Sequence, residues 1–420
     1  MRCTRFRRNS PRAGKFLLSL NPRTLSGNQL DAAVRPIPAS VAAGAQKSLP
    51  ALVSEKTVLT SAQSLRMSIR RSDNCDPSGL TFQIGAMKTA DVLITGATGF
   101  IGSAVARKLV EAGFTVRALM RPSSRRAHIA DLELDPCEGD LRDEDSIRSA
   151  VRGVRYVFHL AADYRLWARY PDEIFNVNIG GTRAVMREAL RTGVERVIYT
   201  SSVATLALRD DGEDADESRS MPEQHAIGAY KRSKIAAEAL VSRMAAEDGL
   251  PVVIVNPSAP VGPRDVRPTP TGRIIVEAAS GKVPGFVDTG LNLVHVDDVA
   301  EGHLAALRRG KIGERYILGG QNVSFARMLG DIAGLVGRRP PRIRMPHWAV
   351  LPVAYGSEAI ACVTGREPFV TVQGIRMSRH RMFFKTTKAE EELGYCSRPY
   401  TEGLKDAVSW FREKGYLRRC

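Results

Sequence analysis

A glycine-rich turn between an apolar strand and a helix places the strongest constraint on this chain. Residues 92–95 (VLIT) form a short apolar run, and GATGFIG follows with its glycines spaced GxxGxxG. Apolar residues of the next segment, SAVARKLVEAG, recur at helical spacing, and a second apolar strand, FTVRALMR, comes after Gly113. The order strand, glycine turn, helix, strand predicts the opening of a doubly wound parallel α/β sheet.

The same turn has the features of a diphosphate-binding loop. Gly96 permits the tight turn, Gly99 lets a diphosphate approach the backbone, and Gly102 lets the helix pack closely on the strand. Free N–H groups and the helix dipole favour negative charge at the helix N-terminus. We therefore predict a dinucleotide site formed by Gly96, Thr98, Gly99, Phe100, Ile101 and Gly102. The alternative is a glycine turn without a ligand.

The residue after the second strand discriminates between the two nicotinamide dinucleotides. An acidic side chain there bonds the ribose 2′-hydroxyl of NAD, whereas a basic one accommodates the 2′-phosphate of NADP. Arg121 occupies this place, and no Asp or Glu follows until Asp131. The sequence therefore favours NADP over NAD. The alternative is that Arg121 is a solvated charge beside an NAD site.

Two later strand ends supply further candidates for the same ligand. Asp140 and Leu141 follow a third strand, and Ala161 and Ala162 end a fourth strand that begins at Tyr156. A carboxylate at Asp140 suits the adenine amino group, and small alanines let a cofactor pass close to the backbone. The competing role for Asp140 is an N-cap of the next helix.

A hydroxyl, a phenol and an amine form the candidate reacting centre. Strand Arg196–Thr200 ends at Ser201 and Ser202, while Tyr230 and Lys234 lie four residues apart on one face of a predicted helix. A phenol with a pKa of about 10 is a poor base at neutral pH. We expect the Lys234 ammonium to lower that pKa. Ser202 is the predicted donor to the substrate oxygen, and Ser201 is the competing hydroxyl.

Together these motifs resemble the extended branch of the short-chain dehydrogenase/reductase superfamily. FNVNIGGTRAVMREAL, VVIVNPSAPVGP and LVHVDDVAEGHLAAL are also similar to it, and the resemblance covers Met87 to about Leu417. The similarity is greatest to hopanoid-associated sugar epimerases and dihydroflavonol-reductase-like proteins. It implies that Tyr230 is the acid/base, Lys234 its activator and ribose anchor, and Ser202 the donor to the substrate oxygen.

The resemblance also assigns positions around this centre. It implies that Asn178 orders the loop and the active-site helix behind the cofactor, with internal helix capping as the alternative. Pro257 and Ser258 are implied to lie near the nicotinamide carboxamide. Sugar epimerases of the family often have a Thr two places after the catalytic Ser, where this chain has Ala204 and then Thr205. This departure weakens the case for nucleotide-sugar epimerisation.

The predicted fold is a Rossmann-type doubly wound sheet with a smaller C-terminal α/β substrate part. The leading function is an NAD(P)-dependent epimerase or dehydratase acting on a sugar or sugar-like hydroxyl or carbonyl carbon, which the resemblance extends to hopanoid lipid biosynthesis. The alternatives are an NADPH-dependent carbonyl reductase for an apolar substrate and a non-catalytic, cofactor-sensing protein. The resemblance also implies a homodimer.

The first 86 residues differ in composition from the rest, with 13 Lys and Arg against 4 Asp and Glu. We predict a disordered basic extension at 1–86, for which a leader or an over-extended reading frame are further explanations. A cofactor-binding part then spans 87–256. A mainly substrate-binding part spans 257–420, and its segment at about 291–320 returns to the sheet. Much of the net charge of +16 lies in the extension, so no nucleic-acid partner is expected.

Cysteine spacing and one apolar stretch bear on metal binding, cellular location and membrane contact. Six cysteines without a CxxC pair indicate reduced thiols in a cytoplasmic protein, with no metal site. Trp348–Val363 is mostly apolar, but it is too short and too interrupted to span a bilayer. It is either a core-packing helix or an apolar lid for a substrate with a hydrophobic portion, and peripheral membrane contact is compatible with the second interpretation.

Overall fold

Parallel strands form the centre of the computed structural model, which describes residues 90–417 except 166, 169, 210, 366, 367 and 369. The predicted basic extension at 1–86 lies outside the described residues. The strands are β1 (Val92–Thr95), β2 (Val116–Met120), β3 (Leu134–Glu138), β4 (Tyr156–His159), β5 (Arg196–Thr200), β6 (Val252–Pro257), β7 (Ala259–Val261), β8 (Gly285–Phe286), β9 (Gly290–His295), β10 (Arg315–Leu318), β11 (Gln321–Ser324) and β12 (Ile343–Arg344).

Helices alternate with these strands along most of the chain. They are α1 (Phe100–Glu111), α2 (Glu144–Val151), α3 (Asp172–Phe175), α4 (Thr182–Thr192), α5 (Gly228–Glu247), α6 (Pro270–Ala279), α7 (Val296–Arg309), α8 (Phe325–Leu335), α9 (His347–Thr364), α10 (Val372–Met377), α11 (Thr387–Leu393) and α12 (Tyr400–Glu413). A π-helical segment, Asn176–Gly181, joins α3 to α4, and short 3₁₀ turns occur at Ala127–Ile129, Val203–Thr205 and Glu223–His225.

Seven strands pair in the order β10-β6-β5-β4-β1-β2-β3, and every pairing is parallel. The chain proceeds outward in one direction from β1 through β2 to β3, and in the other from β4 through β5 to β6. The order therefore reverses between β1 and β4, and a crevice outside the carboxyl ends of these two strands is where such sheets bind ligands. The predicted doubly wound fold is confirmed.

Side chains that alternate along the strands contribute to two apolar cores, one on each face of the sheet. In β1, Val92 and Ile94 belong to the core with α1 and α7, whereas Leu93 belongs to the core with α2, α4 and α5. Successive strand residues point to opposite faces, so a run of apolar residues is needed when both faces are covered. This explains why three of the four residues of VLIT are apolar and all four are buried.

The C-terminal part contributes to the sheet and also forms its own core. Strand β10 extends the sheet beyond β6, and α7 packs on α1. A separate cluster joins α6, α8 and α12 to the three-stranded sheet β11-β9-β7, with Leu293 and Phe411 fully buried within it. Helices α9 and α10 share a smaller cluster. The predicted domain boundary between 256 and 257 stays a prediction.

Candidate active site

The glycine loop after β1 is built on backbone contacts too close for side chains. A Cβ atom on Gly102 would lie 1.9 Å from the Gly96 carbonyl oxygen, and one on Gly96 would lie 2.7 Å from the Ala161 nitrogen. Gly96 also has a φ of 81°, which L side chains rarely adopt. Gly99 begins α1 without a side-chain cap, and the first turn has no acidic residue. The loop therefore presents backbone N–H groups where a diphosphate fits.

Buried hydrogen bonds fix the crevice between β1 and β4. The His159 ring lies 2.8 Å from the Thr95 hydroxyl through Nδ1 and 3.0 Å from the Thr182 hydroxyl through Nε2. Burial, with a smaller effect from the Lys234 charge, lowers the pKa of His159 to about 3. The imidazole is therefore neutral at physiological pH and acts as a structural link between β1, β4 and α4.

The predicted adenine and ribose contacts lie at the ends of β2 and β3. Arg121 follows β2 directly and is exposed. Asp140 follows β3, and Arg142 binds both of its carboxylate oxygens, which holds the pKa of Asp140 at about 2. The alternative role of Asp140 as a helix cap is wrong: Asp143 accepts from the backbone N–H groups of Asp145 and Ser146 at the start of α2.

Smaller residues line the approach to the glycine loop. Ala161 and Ala162 follow β4, which ends at His159 rather than at Ala162 as the sequence suggested. The backbone of Ala161 turns toward β1, where its N–H donates to Thr95 Oγ1 at 3.3 Å. This turn explains the earlier end of the strand, because the Ala161 N–H bonds to a side chain and not to the backbone of the neighbouring strand. Leu141 packs on the core that includes α2 and α4.

Ser202 and Tyr230 meet between β5 and α5. The side chain of Ser202 caps a short turn by accepting from the Ala204 N–H at 3.1 Å, and its interaction with the Tyr230 phenol lowers the pKa of that phenol. Burial has the larger effect and raises the pKa of Tyr230, and the influence of Ser202 offsets this only in part. The expectation that Lys234 lowers the pKa of Tyr230 is therefore not met. The competing Ser201 hydroxyl is buried without a hydrogen-bond partner.

Lys234 is buried one helical turn beyond Tyr230. Its ammonium donates to the Thr200 carbonyl oxygen at 2.8 Å and to the Tyr199 hydroxyl at 3.4 Å, and it lies 4.9 Å from the centre of the Tyr199 ring. Burial lowers the pKa of Lys234 to about 8, while the nearby Glu238 carboxylate opposes this shift. An ammonium has three N–H donors, so one remains for a ligand in the crevice.

Asn178 joins the loop after β4 to the helix that bears Tyr230. Its side-chain oxygen accepts from the Asp163 N–H at 2.7 Å, and its Nδ2 donates to the Asp163 carbonyl oxygen at 2.9 Å and to Ser233 Oγ at 2.9 Å. Ser233 in turn donates to the Tyr230 carbonyl oxygen at 2.7 Å. Asn178 is almost fully buried, so this contact chain is shielded from water.

A second buried network lies behind Ser202. Glu238 Oε2 lies 2.7 Å from the Thr205 hydroxyl and 2.9 Å from Asn256 Nδ2, and Arg315 donates to Oε1 at 3.1 Å. The Thr205 hydroxyl also lies 2.7 Å from the Ser202 carbonyl oxygen. Glu238, Thr205 and Asn256 therefore fix the backbone of the serine turn.

Sequence reasoning missed this network, although signals for it exist. Glu238 continues the four-residue spacing of Tyr230 and Lys234 along one helix face. Asn256 and His159 are polar residues at the ends of otherwise apolar strands. A polar group in such a place requires a buried partner. The identities of the partners come from distant segments and cannot be read from the local pattern.

The residues after β6 complete a crevice that fits a nicotinamide dinucleotide. Pro257 ends β6, and the Ser258 hydroxyl is buried without a protein partner. Together with Ser201 it offers unpaired polar atoms near the strand ends, and the glycine loop provides the diphosphate cradle. Among the described residues, no group of three or more His, Cys, Asp or Glu is placed to hold a metal ion.

The fold and site define a nicotinamide-dinucleotide enzyme of the extended short-chain type. The sequence profile of the NAD dependent epimerase/dehydratase family matches residues 92–319. The chain belongs to this family.

Known proteins similar to this chain differ in the chemistry that their names describe. A putative dihydroflavonol 4-reductase from Synechocystis sp. is 42% identical over 77% of this chain and 95% of its own length. Sterol demethylase protein B from Methylococcus capsulatus is 34% identical over 77% of this chain and 99% of its own. The crystal structure of PA4631, a nucleoside-diphosphate-sugar epimerase from Pseudomonas aeruginosa, has a TM-score of 0.65 and 28% identity, covering 78% and 99%.

The contact between Gly102 and Gly96 leads to a direct test. We expect Gly102→Ala to displace the loop from α1, because a Cβ 1.9 Å from a backbone oxygen forces a backbone shift. Overpacking of this kind costs roughly 1–3 kcal/mol of unfolding free energy. Urea denaturation and a fluorescence titration with NADPH should show lower stability and weaker cofactor binding.

Gly330→Ala is the matched control, because Gly330 lies inside α8 with open space at its Cβ position. Alanine there should leave NADPH binding unchanged and stabilise the helix by up to about 1 kcal/mol. Wild-type cofactor affinity in the Gly102→Ala protein would contradict the proposed loop.

Proposed function

We propose that the protein is an NADP(H)-dependent carbonyl reductase, or the corresponding alcohol dehydrogenase, for an apolar cyclic substrate. The observation that supports it most is the state of Thr205. Its hydroxyl is buried and engaged by the Ser202 carbonyl oxygen, Glu238 and Asn256. It therefore does not replace the hydroxyl that Ala204 lacks, and the site offers a substrate fewer polar contacts than a sugar would need.

The protonation state of Tyr230 also favours reduction. Burial raises the pKa of Tyr230, so the phenol keeps its proton at neutral pH. The Ser202 side chain is near enough to the Tyr230 phenol to lower its pKa, so both hydroxyls can reach one carbonyl oxygen. Tyr230 then gives that oxygen its proton, and its interaction with Ser202, which lowers the pKa of the phenol, stabilises the phenolate that remains.

The chain's residues suit a bound nicotinamide without supplying redox chemistry themselves. When bound, the reduced nicotinamide provides the hydride that adds to the carbonyl carbon, so hydride and proton together give an alcohol. The glycine loop would hold the diphosphate, and Asn178 keeps the catalytic helix in register with the loop after β4. The remaining donor of Lys234 is available for the nicotinamide ribose.

Two sequence relatives support an apolar substrate. Their names describe a putative dihydroflavonol 4-reductase and a sterol demethylase protein. The similar crystal structure of a nucleoside-diphosphate-sugar epimerase supports epimerisation as the second candidate. The expected sugar substrate, hopanoid role, homodimer and cytoplasmic location stay predictions. A polycyclic terpenoid ketone therefore belongs among the test substrates.

Tyr230→Phe tests the proposed acid. A general acid contributes about 10²–10⁴-fold to rate, so kcat for NADPH-dependent reduction should fall by that factor while NADPH binding is retained. The assay follows NADPH absorbance with a dihydroflavonol, a 3-ketosteroid and a polycyclic terpenoid ketone, beside a UDP-hexose. Tyr170→Phe, an exposed tyrosine, is the matched control. Isomerisation of the UDP-hexose without net NADPH consumption would contradict the proposal.

Arg121→Asp tests the cofactor preference. Loss of a charge-assisted contact to the 2′-phosphate costs about 1.5–3 kcal/mol, so kcat/KM with NADPH should fall about 10–100-fold. With NADH it should hold or rise, because the new carboxylate can accept from the 2′-hydroxyl. Arg152→Asp is the control at another exposed arginine. Equal losses with both cofactors would show that Arg121 does not discriminate.

The pH dependence of reduction tests the charge on Lys234. Its pKa is lowered to about 8, so the ammonium is present below that pH and is lost as pH rises through it. We expect kcat/KM for reduction to fall above about pH 8. Glu238→Gln removes the charge that favours the ammonium and should move this fall to lower pH. Glu247→Gln, exposed on the same helix, should not move it, and an identical profile in both variants would refute the assignment.

A further inference from the structure

Helix α9 presents an unusually apolar surface to solvent. Val350, Ala354 and Ala361 are buried along one stripe, Leu351 and Glu358 are half-buried beside it, and most of the remaining side chains are exposed. The exposed side chains include Trp348 (74%), Val353 (60%), Tyr355 (53%), Ile360 (65%) and Val363 (89%). The only charged residue of the helix, Glu358, is turned toward α10, where it accepts from the Val372 N–H at 2.8 Å.

A helix that is apolar on all sides is normally buried, and a contiguous exposed apolar surface marks an interaction site. This one is not a membrane span, because no helix in the described part of the chain is long and apolar enough to cross a bilayer. The outward face of α9 therefore needs a partner that covers it from one side.

Basic residues surround this surface. Residues 338–381 contain eight arginines against two glutamates. Arg342 precedes α9 and Arg376 and Arg379 follow it, and all three are exposed. Two further exposed arginines, Arg344 and Arg381, are paired with Asp288. Arg376 donates to the Tyr355 hydroxyl at 3.1 Å, which places its guanidinium at the margin of the apolar surface. An apolar helix face beside positive charge is the pattern of proteins that lie on anionic lipid surfaces.

We propose that the outward face of α9 and its flanking arginines dock on an anionic lipid bilayer. The apolar side chains enter the boundary between headgroups and acyl chains, and the arginines contact the negatively charged headgroups. A second copy of the chain fits less well, because two-fold pairing would bring the same positive surface against itself. A nucleic acid would meet the arginines but would leave the apolar residues uncovered.

The docking surface adjoins the catalytic helix. Helices α9 and α10 share a core formed by Val350, Ala354, Val372 and Ile375. On α10, the Gln373 side chain is in contact with Gly228, where an added Cβ would lie 2.1 Å from its Oε1. Gly228 is two residues before Tyr230. A bilayer bound at α9 thus lies next to the helix that bears the acid/base, although docking itself does not depend on the proposed reductase activity.

Flotation of the full-length protein with lipid vesicles tests this proposal. Vesicles of phosphatidylcholine mixed with phosphatidylglycerol should bind the protein, and vesicles of phosphatidylcholine alone should bind it more weakly. Ile360→Asp combined with Val363→Asp should weaken binding at least about tenfold, since each apolar side chain loses its burial. Ile312→Asp, at an exposed isoleucine outside α9, is the control.

Charge variants and fluorescence complete the test. Arg342→Glu and Arg379→Glu should each weaken binding to the anionic vesicles by about fivefold or more, whereas Arg308→Glu should not. Vesicles should shift the tryptophan emission to the blue, and Trp348→Phe should remove that shift.

Three results would overturn the proposal. The first is that the protein does not bind anionic vesicles. The second is that the α9 double variant binds them as well as the wild type does. The third is that the wild type does not bind vesicles and the double variant differs from it in solution mass. The second would assign binding to the basic residues 1–86, which all variants share. The third would make the surface an interface between copies.

Discussion

The hydrogen bond from the buried Lys234 ammonium to the Thr200 carbonyl oxygen is the contact on which the site depends. It joins α5 to the carboxyl end of β5, so Tyr230 and Ser202 are brought to the same point. An ammonium is costly to bury unless it is paired. Here a carbonyl oxygen, the face of Tyr199 and the carboxylate of Glu238 compensate for the lost water. The same burial brings the pKa of Lys234 near physiological pH, where its charge can respond to the reaction.

Two buried polar networks keep this centre rigid on either side. Asn178 connects the loop after β4 to the catalytic helix, and Glu238 with Asn256 fixes the serine turn from behind. The second network also engages Thr205, which leaves Ser202 and Tyr230 as the hydroxyls for a substrate oxygen. A site with so few free hydroxyl groups suits a ketone on an apolar ring system. An apolar substrate would dissolve in a bilayer, which accords with the exposed face of α9 beside the catalytic helix.

Much of the fold could be predicted from the sequence because its signals are local. The limits of β1 and β5 follow from apolar runs bounded by glycine or serine, and the spacing of Tyr230 and Lys234 defines one helix face. Contacts between distant segments could not be predicted in this way. Asp143, and not Asp140, caps α2, because the Asp143 carboxylate accepts from the free N–H groups at the start of that helix. Asp140 pairs with Arg142 instead. The pKa of Tyr230 was expected to fall, but burial outweighs the other influences on it. The sequence pattern of Trp348–Val363 shows that the segment is apolar, but it does not indicate which side of the helix packs against the rest of the protein.

The central claim is that this site performs net reduction rather than a reversible redox cycle on a sugar. Transfer of isotope tests it most directly. NADPH bearing deuterium at both C4 positions would be incubated with the protein and, in parallel reactions, a cyclic ketone or a UDP-hexose, and the products analysed by mass spectrometry. Net reduction predicts one deuterium in each product alcohol and one NADP⁺ formed for each product molecule. An isomerised product without deuterium, formed while the cofactor pool stays unchanged, would contradict the account.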